Sequence, residues 1–163
     1  MYYLYKYECD GMEQIEENNW YEIKSVHPTL WNLKIPYEKF NLKKALLCAY
    51  FHIITLGHFY IYYVISDNQI IHTSFVLGKC YKFPFMKKGE YEIGPCITER
   101  EYRGKGIYPS VIKKIIADNT EKGKVFYMFC NEKNLSSIKG ILKAGFREDG
   151  ILEKSFLKRY VRK

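Results

Sequence analysis

Between Ala45 and Ser66 the chain has no Asp, Glu, Lys or Arg, and Lys43-Lys44 stands immediately before the run. No other stretch limits the fold so tightly. A segment without charge either crosses a membrane or is covered by protein on most sides. By length the run qualifies as a span. Its interior argues against one. Gly57-His58 interrupts it, and His52 and His58 are costly in lipid unless partnered. Phe59 to Ile65 is rich in Tyr and β-branched residues, which favour strands. The run therefore predicts a buried helix, capped by Asn41 and reaching Phe51, followed by a buried central strand. No membrane span is expected.

Punctuating residues organise the rest of the chain. Tyr2–Glu8 reads as a strand and Asp10-Gly11 as a turn. Glu13 to Pro36 is ambiguous, broken by Asn18-Asn19 and His27-Pro28, with Pro36 placed to open a helix. Phe59–Ile65 and Ile70–Leu77 form a hairpin across Ser66-Asp67-Asn68. Phe83-Pro84-Phe85 and Lys87-Lys88-Gly89 make a loop. A strand, Tyr91–Thr98, precedes a helix that starts near Tyr108 and contains Ser110–Asp118. Val125–Cys130 is a strand, and Leu135–Lys143 is a helix ended by Gly145. Phe146–Glu148 and Leu152–Tyr160 close the chain as strands. No repeat or linker divides the 163 residues, so a single domain, 1–163, is expected. Antiparallel strands followed by a βαβ unit predict an α+β fold in α/β/α layers. Its mixed, mainly antiparallel sheet would have six to seven strands and helices on both faces.

The net charge of +8 suits either solubility or an anionic partner. The basic residues are dispersed, and only Lys158 to Lys163 is dense. No helix-turn-helix, zinc-finger or RNA-recognition pattern appears, so nucleic acid is not expected, and a basic nucleic-acid-binding domain ranks third among the readings. The five cysteines are scattered and include no close-spaced pair, so no metal site is expected. Charged residues begin at Lys6 and Glu8, unlike a secretory signal. A reducing cytoplasm is the simplest expectation. A homodimer is one option for the oligomeric state.

The most informative stretch for chemistry is Arg103-Gly104-Lys105-Gly106-Ile107-Tyr108-Pro109. Glycines that join a strand to a helix start expose backbone N–H groups that no helix bond uses. Those donors and the helix dipole make an anion site, above all for phosphate. Alone the pattern is weak, because most glycine turns are only structural. A second pattern follows at a defined distance. Asn134-Leu135-Ser136-Ser137 opens the last helix, and Gly145-Phe146 ends it.

Together these two motifs resemble the GNAT superfamily of acyl-CoA-dependent N-acetyltransferases, over about Phe59 to Phe146. The first matches Arg/Gln-x-x-Gly-x-Gly/Ala, with Tyr108 where the family has a small residue. The second matches Asn-x-x-Ala/Ser before a helix ending in Gly-Phe. Ile93-Gly94-Pro95-Cys96, Tyr102 to Pro109 and Ser137-Ile138-Lys139-Gly140 are also similar to acetyltransferases of bacterial surface-polysaccharide biosynthesis.

The resemblance implies acetyl-CoA as co-substrate and a small-molecule amine as acceptor, with an amino sugar or nucleotide-linked amino sugar as a candidate. It implies a sheet splayed at the acyl-CoA site. Arg103, Gly104, Lys105, Gly106, Ile107 and Tyr108 would cradle the pyrophosphate, with Gly104 and Gly106 allowing close backbone approach. The backbone of Cys96, Ile97 and Thr98 would pair with the pantetheine arm like an added half-strand. Asn134 would bond the arm or cap its helix, and Ser137 would let that helix approach closely.

Direct transfer needs a base for the ammonium proton and a donor for the departing thiolate. Glu92 is the first base candidate and His72 the second, each with a competing reading as a solvated carboxylate or a satisfied core histidine. The family's usual acid, a Tyr, would fall at Ile141, so Tyr108, Tyr127 or water would have to replace it. Cys96 and Cys130 read as buried structural cysteines rather than acyl carriers. Phe83, Phe85 and Trp31 are candidates for an aromatic acceptor face, against a plain role in packing. The missing Tyr also motivates an alternative, a non-catalytic acyl-CoA-binding regulatory module.

Overall fold

The charge-free run divides where its composition changes. Helix α1 spans Leu42–Ile54, capped by Asn41, whose Oδ1 accepts from the N–H groups of Lys43 and Lys44. Ala45, Cys48 and Phe51 recur every three residues and are buried, while Leu42, Leu46 and Ile53 face outward. Leu56 and Gly57 then take positive φ and turn the chain into strand β3, Phe59–Ser66. Asp67 and Asn68, both at positive φ, make the tight turn into β4, Gln69–Gly78. No helix among the described residues is long and apolar enough to cross a membrane.

The computed structural model describes residues 1–11, 21–33, 41–119, 121–155, 157 and 159–163. The remaining elements are β1 (Tyr2–Glu8), β2 (Ile23–Val26), β5 (Tyr91–Thr98), α2 (Ile107–Ala117), β6 (Val125–Asn131), α3 (Leu135–Lys143), β7 (Arg147–Lys154) and β8 (Tyr160–Arg162). The strands form one mixed sheet in the order β2-β3-β4-β5-β6-β1-β7-β8. Every pairing is antiparallel except β5–β6.

Eight strands replace the six to seven expected. The addition is β2, from the ambiguous segment, which pairs only with β3. The C-terminal strands also fall differently from Phe146–Glu148 and Leu152–Tyr160. Gly150, at φ 139°, lets β7 run on through a register shift opposite Leu4 and Tyr5. The helix expected at Pro36 lies outside the described residues.

The sheet separates two apolar layers. On one face α1 packs with Leu4, Phe59, Leu77, Phe83, Tyr127 and Leu152. On the other, α2 and α3 cover Val64, Ile93, Phe126 and Met128 through Val111, Ile115 and Ile141. Burying this much apolar side chain on both faces is what fixes the strand register.

Candidate functional site

The parallel seam between β5 and β6 is short. It pairs Tyr91 with Phe126 and Glu92 with Tyr127, and then the strands part. β5 continues to pair with β4 on its other side, Ser74 opposite Cys96, Thr73 opposite Ile97 and His72 opposite Thr98. The β6-facing backbone edge of Cys96–Thr98 therefore has no strand partner among the described residues. A β-bulge between Ser74 and Val76 marks the point of departure. An extended, amide-bearing ligand fits such an edge, because it can complete the ladder.

The glycine loop stands at the end of that edge. Gly104 and Gly106 have φ of 77° and 80°. A Cβ at either would meet nothing within 4 Å, so the backbone conformation, rather than local crowding, calls for glycine here. Gly106 is the N-cap of α2, and the first helix bond on this turn runs from Ser110 N–H to Gly106 C=O. The N–H groups of Ile107 and Tyr108 thus lie outside the helix ladder, and Pro109 has none. Arg103 is tied to the open strand, its Nε donating to Thr98 C=O at 2.9 Å. Lys105 is exposed, with its Nζ 4.7 Å from the Tyr102 ring centroid. Two exposed cations and a helix N-terminus together favour a polyanion.

Tyr108 lies on the second residue of α2 and its ring crosses to α3. A Cβ built at Gly140 would fall 2.5 Å from Tyr108 Cδ1 and 2.6 Å from Cε1. The ring also leans on His72, 6.2 Å between centroids. Burial pushes the phenol far above its usual range, and Cys96, Cys130 and Glu92 are near enough to push it further. Gly140 lies in the middle of α3, where helix propensity disfavours glycine. Its need for glycine follows from the Tyr108 ring, a contact that no spacing rule announces.

His72 is 1% exposed and fully partnered. Its Nδ1 lies 2.7 Å from Thr98 Oγ1 and its Nε2 2.8 Å from Ser74 Oγ. In either tautomer one ring nitrogen donates and the other accepts. Burial lowers its pKa to about 4, so the ring is neutral at ordinary pH. Ser74 in turn hydrogen-bonds Cys96, whose thiol burial pushes up to about 12. A thiol so protonated is a poor acyl carrier.

Glu92 is as deeply buried as His72 but is not satisfied. It is 3% exposed, and its Oε2 is buried with no hydrogen-bond partner. Burial raises its pKa well above the ordinary carboxylate range, opposed by the charge of Lys82. Its Oε1 folds back over Gly94, where a Cβ would come within 2.5 Å. Glu92 pairs with Leu77 and Tyr127, which belong to the α1-side layer, whereas His72 pairs with Val64 of the opposite layer. The two candidate bases therefore stand on opposite faces of the sheet, with Glu92 at the last rung before the split.

Other sequence candidates fall as follows. Asn134 caps α3, its Oδ1 accepting from Ser137 N–H at 3.2 Å and from the Ser136 hydroxyl at 3.0 Å. Its amide nitrogen is not needed for that cap. Ile141, at the usual acid position, is a core residue. Trp31 is 97% exposed and Phe83 is buried against Phe85, Phe129 and Tyr160, so the expected trio of Phe83, Phe85 and Trp31 does not form one face. Phe85 instead packs edge-on against Tyr127, with the Arg162 guanidinium over both rings.

No family model matches the sequence, and no curated protein matches it. Solved structures do match its shape. An acetyltransferase of the GNAT family from Colwellia psychrerythraea is 13% identical, over 91% of this chain and 54% of that one, with a TM-score of 0.54. The fold is that of the GNAT acetyltransferases. A predicted acetyltransferase from Clostridium acetobutylicum, solved with acetyl-CoA, is 17% identical over 85% of this chain and 98% of that one, at 0.55. Aminoglycoside N-acetyltransferase AAC(6')-Iy, solved in complex with CoA, is 14% identical over 82% and 98%, again at 0.55. The chain spans little more than half of the Colwellia GNAT protein, and 57% of a functionally unknown Staphylococcus epidermidis protein that matches with a TM-score of 0.57.

Proposed function

We propose that this chain moves an acetyl group from acetyl-CoA to an amine by direct attack in a ternary complex. The observation that carries the reading is a coincidence at one end of the sheet. The unpaired edge of Cys96–Thr98 runs into a left-handed glycine loop whose helix N-terminus is free to bind an anion. A molecule with an amide-bearing arm and a pyrophosphate suits both halves at once. Arg103, Gly104, Lys105, Gly106, Ile107 and Tyr108 hold the pyrophosphate, Cys96, Ile97 and Thr98 pair with the arm, and Asn134 and Ser137 approach it from α3.

Glu92 serves as the base. Its unpartnered oxygen and raised pKa suit a group that takes a proton near neutral pH. His72 has both nitrogens engaged and a pKa far below that range, so it shapes the split rather than moving protons. The acceptor amine is carried on a sugar, as the likeness to polysaccharide-biosynthesis acetyltransferases implies. The five cysteines form no disulfide, which suits a reducing compartment.

The test is release of free CoA thiol from acetyl-CoA with a panel of amines that includes amino sugars and nucleotide-linked amino sugars. Turnover with an amine supports the proposal. Tight CoA binding with no amine acetylated sinks it and favours a non-catalytic CoA-binding module, the reading that Ile141 at the usual acid position favours.

A further inference from the structure

Helix α1 is apolar on two faces, and the sheet covers one of them. Ala45, Cys48 and Phe51 face the sheet, while Leu42, Leu46 and Ile53 make a second stripe on the far side. A helix that is apolar all round is ordinarily buried all round. Here the far stripe is open, with Leu46 62% exposed and Ile53 59%. The core therefore accounts for only half of the charge-free run.

Two neighbours extend the stripe. Leu56, in the turn that ends α1, is 88% exposed at φ 53°. Glycine or asparagine suits that left-handed backbone better, so a leucine with its side chain in water does nothing for the fold. Beside this turn, His27 Nε2 lies 2.7 Å from Gly57 C=O, and its ring stands 6.0 Å from that of His52 on α1. The chain then makes a tight turn closed by two bonds between Thr29 and Asn32, and Leu33 packs back into the α1-side layer. Trp31 stands at the tip of that turn, almost wholly exposed. Single exposed apolar side chains need no explanation, but a run of leucine, isoleucine and tryptophan does.

Charge selects the partner. Lys43 and Lys44 are exposed at the start of α1. From Ile23 to Ser66 the chain has five lysines and a single acid, Glu38. A second copy of this chain fits the face poorly. A 13-residue helix is about 20 Å long and about 10 Å wide, so its stripe offers on the order of 200 Å², against the roughly 800 Å² per partner that a stable dimer needs. Such a dimer would also bring together two chains of net charge +8. A bilayer takes up apolar side chains with no matching surface, and its anionic headgroups attract lysines.

We propose that the outer face of α1, with Leu56 and Trp31, docks on the surface of an anionic bilayer. The helix lies in the headgroup region, along the membrane plane, and does not cross it. Leu42, Leu46 and Ile53 enter the apolar boundary, Lys43 and Lys44 sit among the lipid phosphates, and the Trp31 indole takes the interfacial position that tryptophan favours.

Vesicle co-sedimentation tests this. The protein should bind phosphatidylcholine vesicles that contain about one-third phosphatidylglycerol, and bind them less as salt rises. Leu46→Glu combined with Ile53→Glu should weaken binding about tenfold or more. Both sites are exposed, so thermal unfolding of this variant should match the wild type. Lys43→Gln should weaken binding about fivefold. Tryptophan emission should shift to the blue on binding, and the shift should be lost in Trp31→Phe, which keeps Trp20. Failure to bind, equal binding to pure phosphatidylcholine, or binding that survives the double substitution overturns the proposal. So does a dimer, seen by sedimentation velocity, that the double substitution dissociates, since the face would then belong to a second copy. The acetyl-CoA reading stands or falls separately, by turnover measured without lipid.

Discussion

Two buried titratable side chains, His72 and Glu92, sit one strand apart and face opposite ways. His72 has a partner on each ring nitrogen, while Glu92 has a buried oxygen with none. A satisfied buried polar group stabilises the arrangement around it. An unsatisfied one costs stability, by roughly 1–3 kcal/mol and more when charged, and is kept where a ligand will use it. The contrast divides the site into a side that holds the split open and a side that does chemistry in it.

The comparison breaks first at Glu92. Glu92→Gln should lower the turnover number a hundredfold or more while the fold persists. The wild-type rate should rise with pH through the raised pKa of Glu92, since the base acts only when deprotonated, and that acid limb should vanish in the variant. Stability runs the other way. A carboxyl whose folded pKa is raised contributes most below its unfolded pKa of about 4.5 and loses that contribution as pH rises through the folded value. Glu92→Gln should therefore be more stable than wild type at neutral pH, by urea or thermal unfolding. An inactive but not stabilised variant would point to lost packing instead.

His72 should show the converse pattern. Its folded pKa of about 4 lies below its unfolded value, so the protein should lose on the order of 3 kcal/mol as pH falls from about 6.5 toward 4. His72→Leu should lack that slope and should lose roughly 1–3 kcal/mol at neutral pH, because the Thr98 and Ser74 hydroxyls lose their partner. If the surviving folded variant keeps its turnover within a few-fold, His72 is structural. A hundredfold loss in kcat with intact stability would reverse the assignment.

Smaller effects sharpen the picture. Gly140→Ala should cost about 1 kcal/mol, the crowding against Tyr108 outweighing the gain in helix propensity, and a second change of Tyr108 to Ala should remove the coupling. Arg103→Gln should weaken CoA binding about fivefold by calorimetry, with a shallower salt dependence, and leave kcat unchanged.

Local features of this fold were legible because the chain punctuates them. β1, β5 and α3 have the bounds that their Gly and Asn flanks predict. β2 was not legible, because four residues at a sheet edge carry too little pattern. β7 was not, because Gly150 looks like a break until β1 supplies the partner for the bulge. The same divide runs through the site. The loop glycines announce themselves by type. Whether His72 and Glu92 are satisfied depends on residues across the sheet, and the Tyr108–Gly140 fit depends on how two helices meet.

The place of β1 has a consequence for how the molecule assembles. Its Tyr2 pairs with Asn131 on one side and Leu152 on the other, so β1 is seated between two strands that lie far from it in sequence. Such distant partners make folding slow and leave β1 an exposed, tyrosine-rich segment until β6 and β7 are in place. Its amides should gain protection late in pulse-labelled hydrogen exchange, after those of the local β3–β4 hairpin. The half of the sheet that carries β6, one wall of the split, would then close only once β1 has paired with both β6 and β7.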